Sequence, residues 1–347
     1  MIQYLTDHDQ NITDEQRVDV LIVLPFINDI WLLVDQLGEK IKAEYWRKVN
    51  IRFFEDLSSD AINYVIDNLL KYNRPYTAID VISFDSSFNN TERIMKTLEK
   101  GLQLYPTSEF NGLSLQKMSY EILDLFEKLY QALDVDTERL ARLEWHYMPI
   151  FRFNTVPKVL VEELKKNPQF YVKLICCVFK GENEEHTEST QEELNRAQLA
   201  YELMEMFKSL PGFKSSGEVD KEYFTDWMLK ALNGCRVMKR GNVGEYEIGK
   251  LLSYSPIGTD GCWPHEIVRD FIEKYYTENI ERGFCIARRN QRGVYTKTGG
   301  EEEKRLAQEY YSYAHKFRIH WPKCAAIMKN IGDDYIHQAK IEEEEQL

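Results

Sequence analysis

Ile62, Val65, Ile66, Leu69 and Leu70 recur at intervals of three and one residues, just after Ser58 and Ser59. That spacing gathers all five side chains on one face of an α-helix and would scatter them over both faces of a strand. The same rhythm returns along the chain, at 94–102, 120–133, 193–210, 223–232, 267–276, 301–317 and 322–341. Period-two alternation is almost absent. A chain so patterned belongs to the all-α class.

Local stop and start signals separate the helices. Thr13 with Gln16 three residues on forms a capping box ahead of Val18, Val20 and Leu21. Residues 18–24 also fit a buried strand, and the cap favours helix. Asn28, Ser58 or Ser59, Asn90, Asp136 and Asp220 stand where N-caps belong. Asn73-Arg74-Pro75, Pro157 and Asn167-Pro168 place proline at or near the first helical position. Gly38 reads as a stop, and 105–113 as a looser stretch. Gly is 17 and Pro 10 of 347 residues, too few for a turn-rich β or collagen-like chain.

Helices of this length joined by short turns predict an irregular α-solenoid of antiparallel pairs, of a degenerate HEAT or tetratricopeptide kind. No intact repeat signature is present. The polar, acidic stretch at 181–192 predicts a hinge between an N-terminal array, 1–180, and a C-terminal array, 193–347.

The start shows no basic segment followed by an apolar one, so no secretory leader is expected. The longest apolar runs, 20–27 and 174–179, fall short of the roughly 20 residues that span a membrane. The cysteines (176, 177, 235, 262, 285, 324) form no CxxC pair, which predicts reduced thiols and a cytoplasmic protein. A net charge of −13 disfavours general nucleic-acid or anionic-membrane binding, which needs a positive field.

Several segments invite a functional reading. Gly244 to Lys250 matches GxxxxGK, but Leu251 stands where Ser or Thr should hold magnesium, and no apolar strand precedes it. A helix with Ile248, Leu251 and Leu252 turned inward is the better reading. The densest signature runs from Ser255 through Pro256, Gly258, Asp260, Gly261, Cys262, Trp263 and Pro264 to His265 and Glu266. His265 with Glu266 could act as an acid–base pair, or Glu266 could simply favour a helix N-terminus while Trp263 plugs a groove. Arg282, Arg288, Arg289, Arg292 and Lys297, with Tyr295 for stacking, form the best basic patch, balanced by Glu301, Glu302 and Glu303. No histidine spacing fits a metal site, and no cofactor fingerprint occurs, so neither metal nor cofactor is expected.

Two stretches carry a resemblance. One holds Leu24-Pro25-Phe26, Glu44-Tyr45-Trp46-Arg47 and Asn73-Arg74-Pro75-Tyr76. The other holds Asp260-Gly261-Cys262-Trp263-Pro264, Arg282-Gly283-Phe284, Asn290-Gln291-Arg292-Gly293 and Trp321-Pro322. Together they resemble the helical C-terminal region of very large bacterial multidomain proteins of the signal-transducing-ATPase or anti-phage-defence kind. The resemblance implies a sensor or scaffold, with effector chemistry on another chain or domain, and supplies no catalytic residues.

Three functions follow as expectations. The first is a non-enzymatic helical-repeat module that binds a protein partner. The second is a nucleic-acid-binding subunit using the 282–297 patch. The third is an enzyme centred on His265 and Glu266.

Overall fold

The computed structural model describes residues 12–24, 28–49, 58–103, 118–182, 184, 188–214, 217–293 and 299–345. Among them the chain is helical, with a single isolated β-bridge between Phe213 and Val219 and no strand. The expected looser stretch at 105–113 and part of the first resemblance segment lie outside the described residues. The helices fall into two compact units, Met1–Val159 and Leu160–Leu347.

The first unit contains α1 (Asp14–Leu21), α2 (Asn28–Gln36), α3 (Glu39–Lys48), α4 (Ser59–Lys71), α5 (Pro75–Phe84), α6 (Thr91–Gln103), α7 (Ser119–Gln131), α8 (Thr137–His146) and α9 (Met148–Asn154). The division falls in α10 (Lys158–Lys166). The Thr13 capping box forms with both of its hydrogen bonds, so the start of the 18–24 segment is helix and not strand. Ser58, Asn90 and Asp136 accept from amides of the first turns they precede. Ala61, Ile62, Val65, Ile66 and Leu69 of α4 are buried, while Leu70 is half-buried at the edge of the stripe. Arg74, ahead of Pro75, reaches back to the carbonyls of Trp46 (3.1 Å) and Val49 (2.6 Å), which closes the C-terminus of α3. Trp31, Tyr45, Trp46 and Tyr64 form one aromatic cluster. Phe126, Tyr147 and Phe151 form another.

The second unit contains α11 (Pro168–Val178), α12 (Gln191–Met206), α13 (Lys221–Val237), α14 (Gly241–Leu252), α15 (Glu266–Tyr275), α16 (Glu278–Asn290), α17 (Glu301–Phe317) and α18 (Pro322–Glu344). The described part of the acidic 181–192 segment lies inside this unit rather than between units. It is held down where Arg240 pairs with Glu184 (3.0 Å) and Glu182 donates its amide to the Lys239 carbonyl (2.7 Å). Charge composition marked the segment as exposed; it could not reveal this anchoring.

Helices α14 and α16 run parallel, since Asn279 bonds Glu245 near their starts and Gln291 bonds Ser253 near their ends. They cross at glycines. A Cβ on Gly249 would lie 2.2 Å from the Ile280 carbonyl oxygen, and one on Gly283 2.0 Å from that of Tyr246. Only glycine permits backbones to approach so closely. Helices α17 and α18 pack antiparallel, with Tyr311 on Asp333 (2.8 Å) and Lys304 on Glu343. No helix among the described residues is long and apolar enough to cross a membrane.

Candidate functional site

The GxxxxGK segment lies wholly within α14, where Ile248, Leu251 and Leu252 are buried. Its two glycines serve helix packing: Gly244 faces Cys235 of α13, and Gly249 faces Ile280 of α16. A phosphate-binding loop would need these glycines in a turn ahead of the helix. The spacing arises here from close packing.

The loop after α14 is pinned at many points. Trp263 is buried and donates its indole N–H to the Ser255 carbonyl (2.8 Å), while the His265 amide donates to Ser255 Oγ (2.9 Å). Between them Gly258 donates to the Cys262 carbonyl (2.8 Å), and Gly261 turns the chain at φ +74°. The Trp263–Pro264 peptide is cis. The expectation that Trp263 fills a groove matches its packing against Phe284 and Tyr310.

Arg269, one turn into α15, holds the loop from below. It is 0% exposed. Its guanidinium takes both Asp260 carboxylate oxygens (2.8 and 2.7 Å), bonds the Pro264 carbonyl (2.7 Å), and lies over the rings of Phe317 (4.4 Å) and Trp321 (4.5 Å). A planar two-pronged donor suits a carboxylate and an aromatic face together. The Arg269 hydrogen bonds hold the Asp260 carboxyl below the usual range. Gly258 leaves room for this arrangement, since a Cβ there would lie 2.9 Å from the Arg269 guanidinium.

His265 caps α15: its Nδ1 accepts from the Ile267 amide (3.3 Å) and lies 3.1 Å from Glu266 Oε2. Its ring meets Phe213 edge-on at 5.2 Å. Glu266 accepts from Thr259 Oγ1 and from the Asp260 amide (3.2 Å). Burial pushes the Glu266 carboxyl up, but those hydrogen bonds and the nearby imidazole outweigh it and leave it lowered. Among the described residues no hydroxyl is hydrogen-bonded to the His265 ring, whose Nδ1 takes the Ile267 amide.

Beside this loop opens a cleft of about 550 Å³, within the size range of small-molecule sites. Its walls carry Leu210, Phe213, Val219, Pro256 and Ile257 as apolar contacts, and Ser209, Tyr254, Thr259, His265, Lys165 and Lys214 as polar ones. Lys165 is placed by α13, where Tyr223 and Trp227 cap the last carbonyls of α10 at 2.9 and 3.1 Å. Among the described residues no Asp or Glu lines it.

The expected basic patch is largely spent inside the fold. Arg288 lies over Trp263 (4.2 Å) and donates to Tyr310 Oη (2.7 Å). Arg289 pairs with Asp334 (3.1 Å), and Arg292 pairs with the fully buried Glu303 (2.5 Å). Arg282 is exposed and has no ion-pair partner among the described residues. Tyr295 and Lys297 lie outside the described residues. Glu303 is one of the three glutamates expected to balance the patch, whereas residue spacing did not reveal Asp334, which comes from α18.

Burial pushes the thiols of Cys235, Cys285 and Cys324 up to about 12, as packed core cysteines. Among the described residues no group of three His, Cys, Asp or Glu gathers as metal ligands. Compared with protein-family models, curated proteins and solved structures, the chain matches none.

Proposed function

We propose that the chain is a non-enzymatic helical interaction module, and that a protein partner docks on the rim of the 255–265 loop. One observation carries this reading. The loop is fixed by Arg269, Trp263 and Ser255, yet it holds Ile257 outward at 63% exposure. An apolar side chain on a rigid mount loses little entropy when a partner covers it, which favours binding. Parallel crossing of α14 and α16, with α15 between them in sequence, is the geometry of stacked helical hairpins, and on that ground we read the second unit as an irregular α-solenoid. Following the resemblance, the partner is an effector subunit or domain of a bacterial, cytoplasmic defence system.

Capture of the tagged full chain from its host, with mass spectrometry and nucleic-acid staining, tests the reading. The expected result is a stoichiometric protein that Ile257→Asp releases and Arg282→Glu retains. Nucleic acid that co-purifies, is lost in high salt and is abolished by Arg282→Glu would replace this reading with the nucleic-acid one.

A further inference from the structure

We infer that the cleft beside His265 is a binding site for a small organic carboxylate with an apolar body. The inference goes beyond the partner reading and needs no partner to test.

Three observations converge. The first is charge. In a chain of net charge −13, the cleft wall carries two lysines and a histidine and, among the described residues, no carboxylate. Both lysines have loose counter-ions: Lys165 meets Glu162 (2.5 Å) and Lys214 meets Glu218 (2.9 Å), with every partner partly exposed. Such surface pairs contribute little and exchange readily for an incoming anion.

The second is an unused donor. His265 is only 8% exposed, and its Nδ1 accepts from the Ile267 amide, with Glu266 Oε2 3.1 Å away. Its Nε2 has no hydrogen-bond partner among the described residues, while the ring lines the cleft. Accepting from the Ile267 amide leaves the ring proton on Nε2. That tautomer presents an N–H donor to the cleft, and a bound anion selects it over the other. Solvent reaches Nε2 through the cleft, so a ligand acceptor there replaces a water molecule.

The third is shape. Leu210, Phe213, Val219, Pro256 and Ile257 provide apolar walls, and Ser209, Tyr254 and Thr259 add hydroxyls. A mainly apolar recess with a few placed polar groups suits an amphiphilic ligand. Among the described residues the lining contains no arginine, and Glu266 already occupies the N-terminus of α15. The two usual devices for a phosphate dianion are therefore missing, which favours a carboxylate.

The test is calorimetric titration of the full chain at neutral pH with octanoate, 1-octanol and n-octyl phosphate. Octanoate is expected to bind at least about tenfold more tightly than octanol, the weight of one charge-assisted hydrogen bond. His265→Asn keeps a good N-cap but withdraws the Nε2 donor, and is expected to weaken octanoate about tenfold while leaving octanol unchanged. A wild-type readout stands beside it: the ¹³C resonance of His265 Cε1 should move on adding octanoate. Equal affinity for octanoate and octanol, an unmoved His265 resonance, or tighter binding of octyl phosphate would each overturn the assignment. Loss of the partner in the capture experiment would leave this result untouched.

Discussion

Each unit buries charged side chains completely, and Glu144 in the first and Arg269 in the second are used differently. In the first, Glu144 of α8 is 0% exposed and accepts from Tyr130 Oη (2.5 Å) and from the Val159 amide (2.9 Å). These partners lie on α7 and in the first turn of α10, so the carboxylate ties helices together. Burial and the Glu144 charge push the Tyr130 hydroxyl well up, which keeps it a donor. In the second, Arg269 is equally buried, but its counter-ion Asp260 is 41% exposed on a surface loop. A buried charge answered by core atoms braces a core. A buried charge answered from the surface fixes a loop, and here that loop walls a cleft.

The largest expected effect comes from removing the second brace. Arg269→Ala leaves Asp260 without its partner and opens a void between Phe317 and Trp321. Breaking a buried pair costs about 3–5 kcal/mol, and the exposure of Asp260 places this case near about 3. For a unit of this size that is a fall of roughly 10 °C in Tm. Octanoate binding should go with it, because Gly258 and Thr259 lose their support. A variant of unchanged Tm would show that Arg269 is no brace.

Helix crossings give the next contrast. Gly283→Ala drives a Cβ to within 2.0 Å of a backbone oxygen, whereas at Gly101 the atom met is the Tyr147 hydroxyl at 2.7 Å. Backbone cannot yield without moving a helix, while a side chain can shift. We expect Gly283→Ala to cost about 2 kcal/mol, in the range of overpacked cores. Gly101→Ala should cost less than half of that by urea unfolding. Equal costs would show that the two crossings are alike.

What the sequence displayed and what it hid divide along the same line. The caps at Thr13, Ser58, Asn90, Asp136, Asn167 and Asp220 were readable because donor and acceptor lie within a few residues of each other. The Thr190–Glu193 capping box is equally local, and the acidic residues around it mask its signal. Glycine and proline density marked the 255–264 loop as special. Neither Arg269 nor Arg292 could be recognised as buried, since the Phe317 ring over Arg269 and the Glu303 partner of Arg292 arrive from α17. The cleft was hidden for the same reason: Lys165, Phe213 and His265 meet only through the fold.

A smaller effect sharpens the contrast from the first unit. Glu144→Gln keeps an acceptor for Tyr130 and Val159 and removes only the charge. It should cost about 1 kcal/mol by urea unfolding, the difference between charged and neutral acceptors. Octanoate binding should be unchanged, because the retained acceptor still holds the first turn of α10, the helix that carries Lys165. A loss of binding would mean that Glu144, too, supports the site.

The smallest effect is a pH dependence. Hydrogen bonds from Arg269 lower the folded-state value of Asp260 below 3.8, so the fold favours its ionised form. Its contribution is complete above the unfolded value of about 3.9 and is lost as pH falls through the lower folded value. Glu247 in α14 acts with the opposite sign. Burial raises its carboxyl above 4.5, so its ionisation weakens the fold as pH rises through that value and its protonation relieves it on acidification. The acid limb of the wild type therefore mixes two opposed terms, and Asp260→Asn removes only the first. Urea unfolding at neutral, mildly acidic and strongly acidic pH should show a gap between wild type and variant that narrows toward acid. Partial exposure of Asp260 keeps that gap small through solvent screening. A gap constant across the series would place the cost of the variant in lost loop geometry, and Arg269 would then act on the cleft through packing with Phe317 and Trp321 instead of through charge.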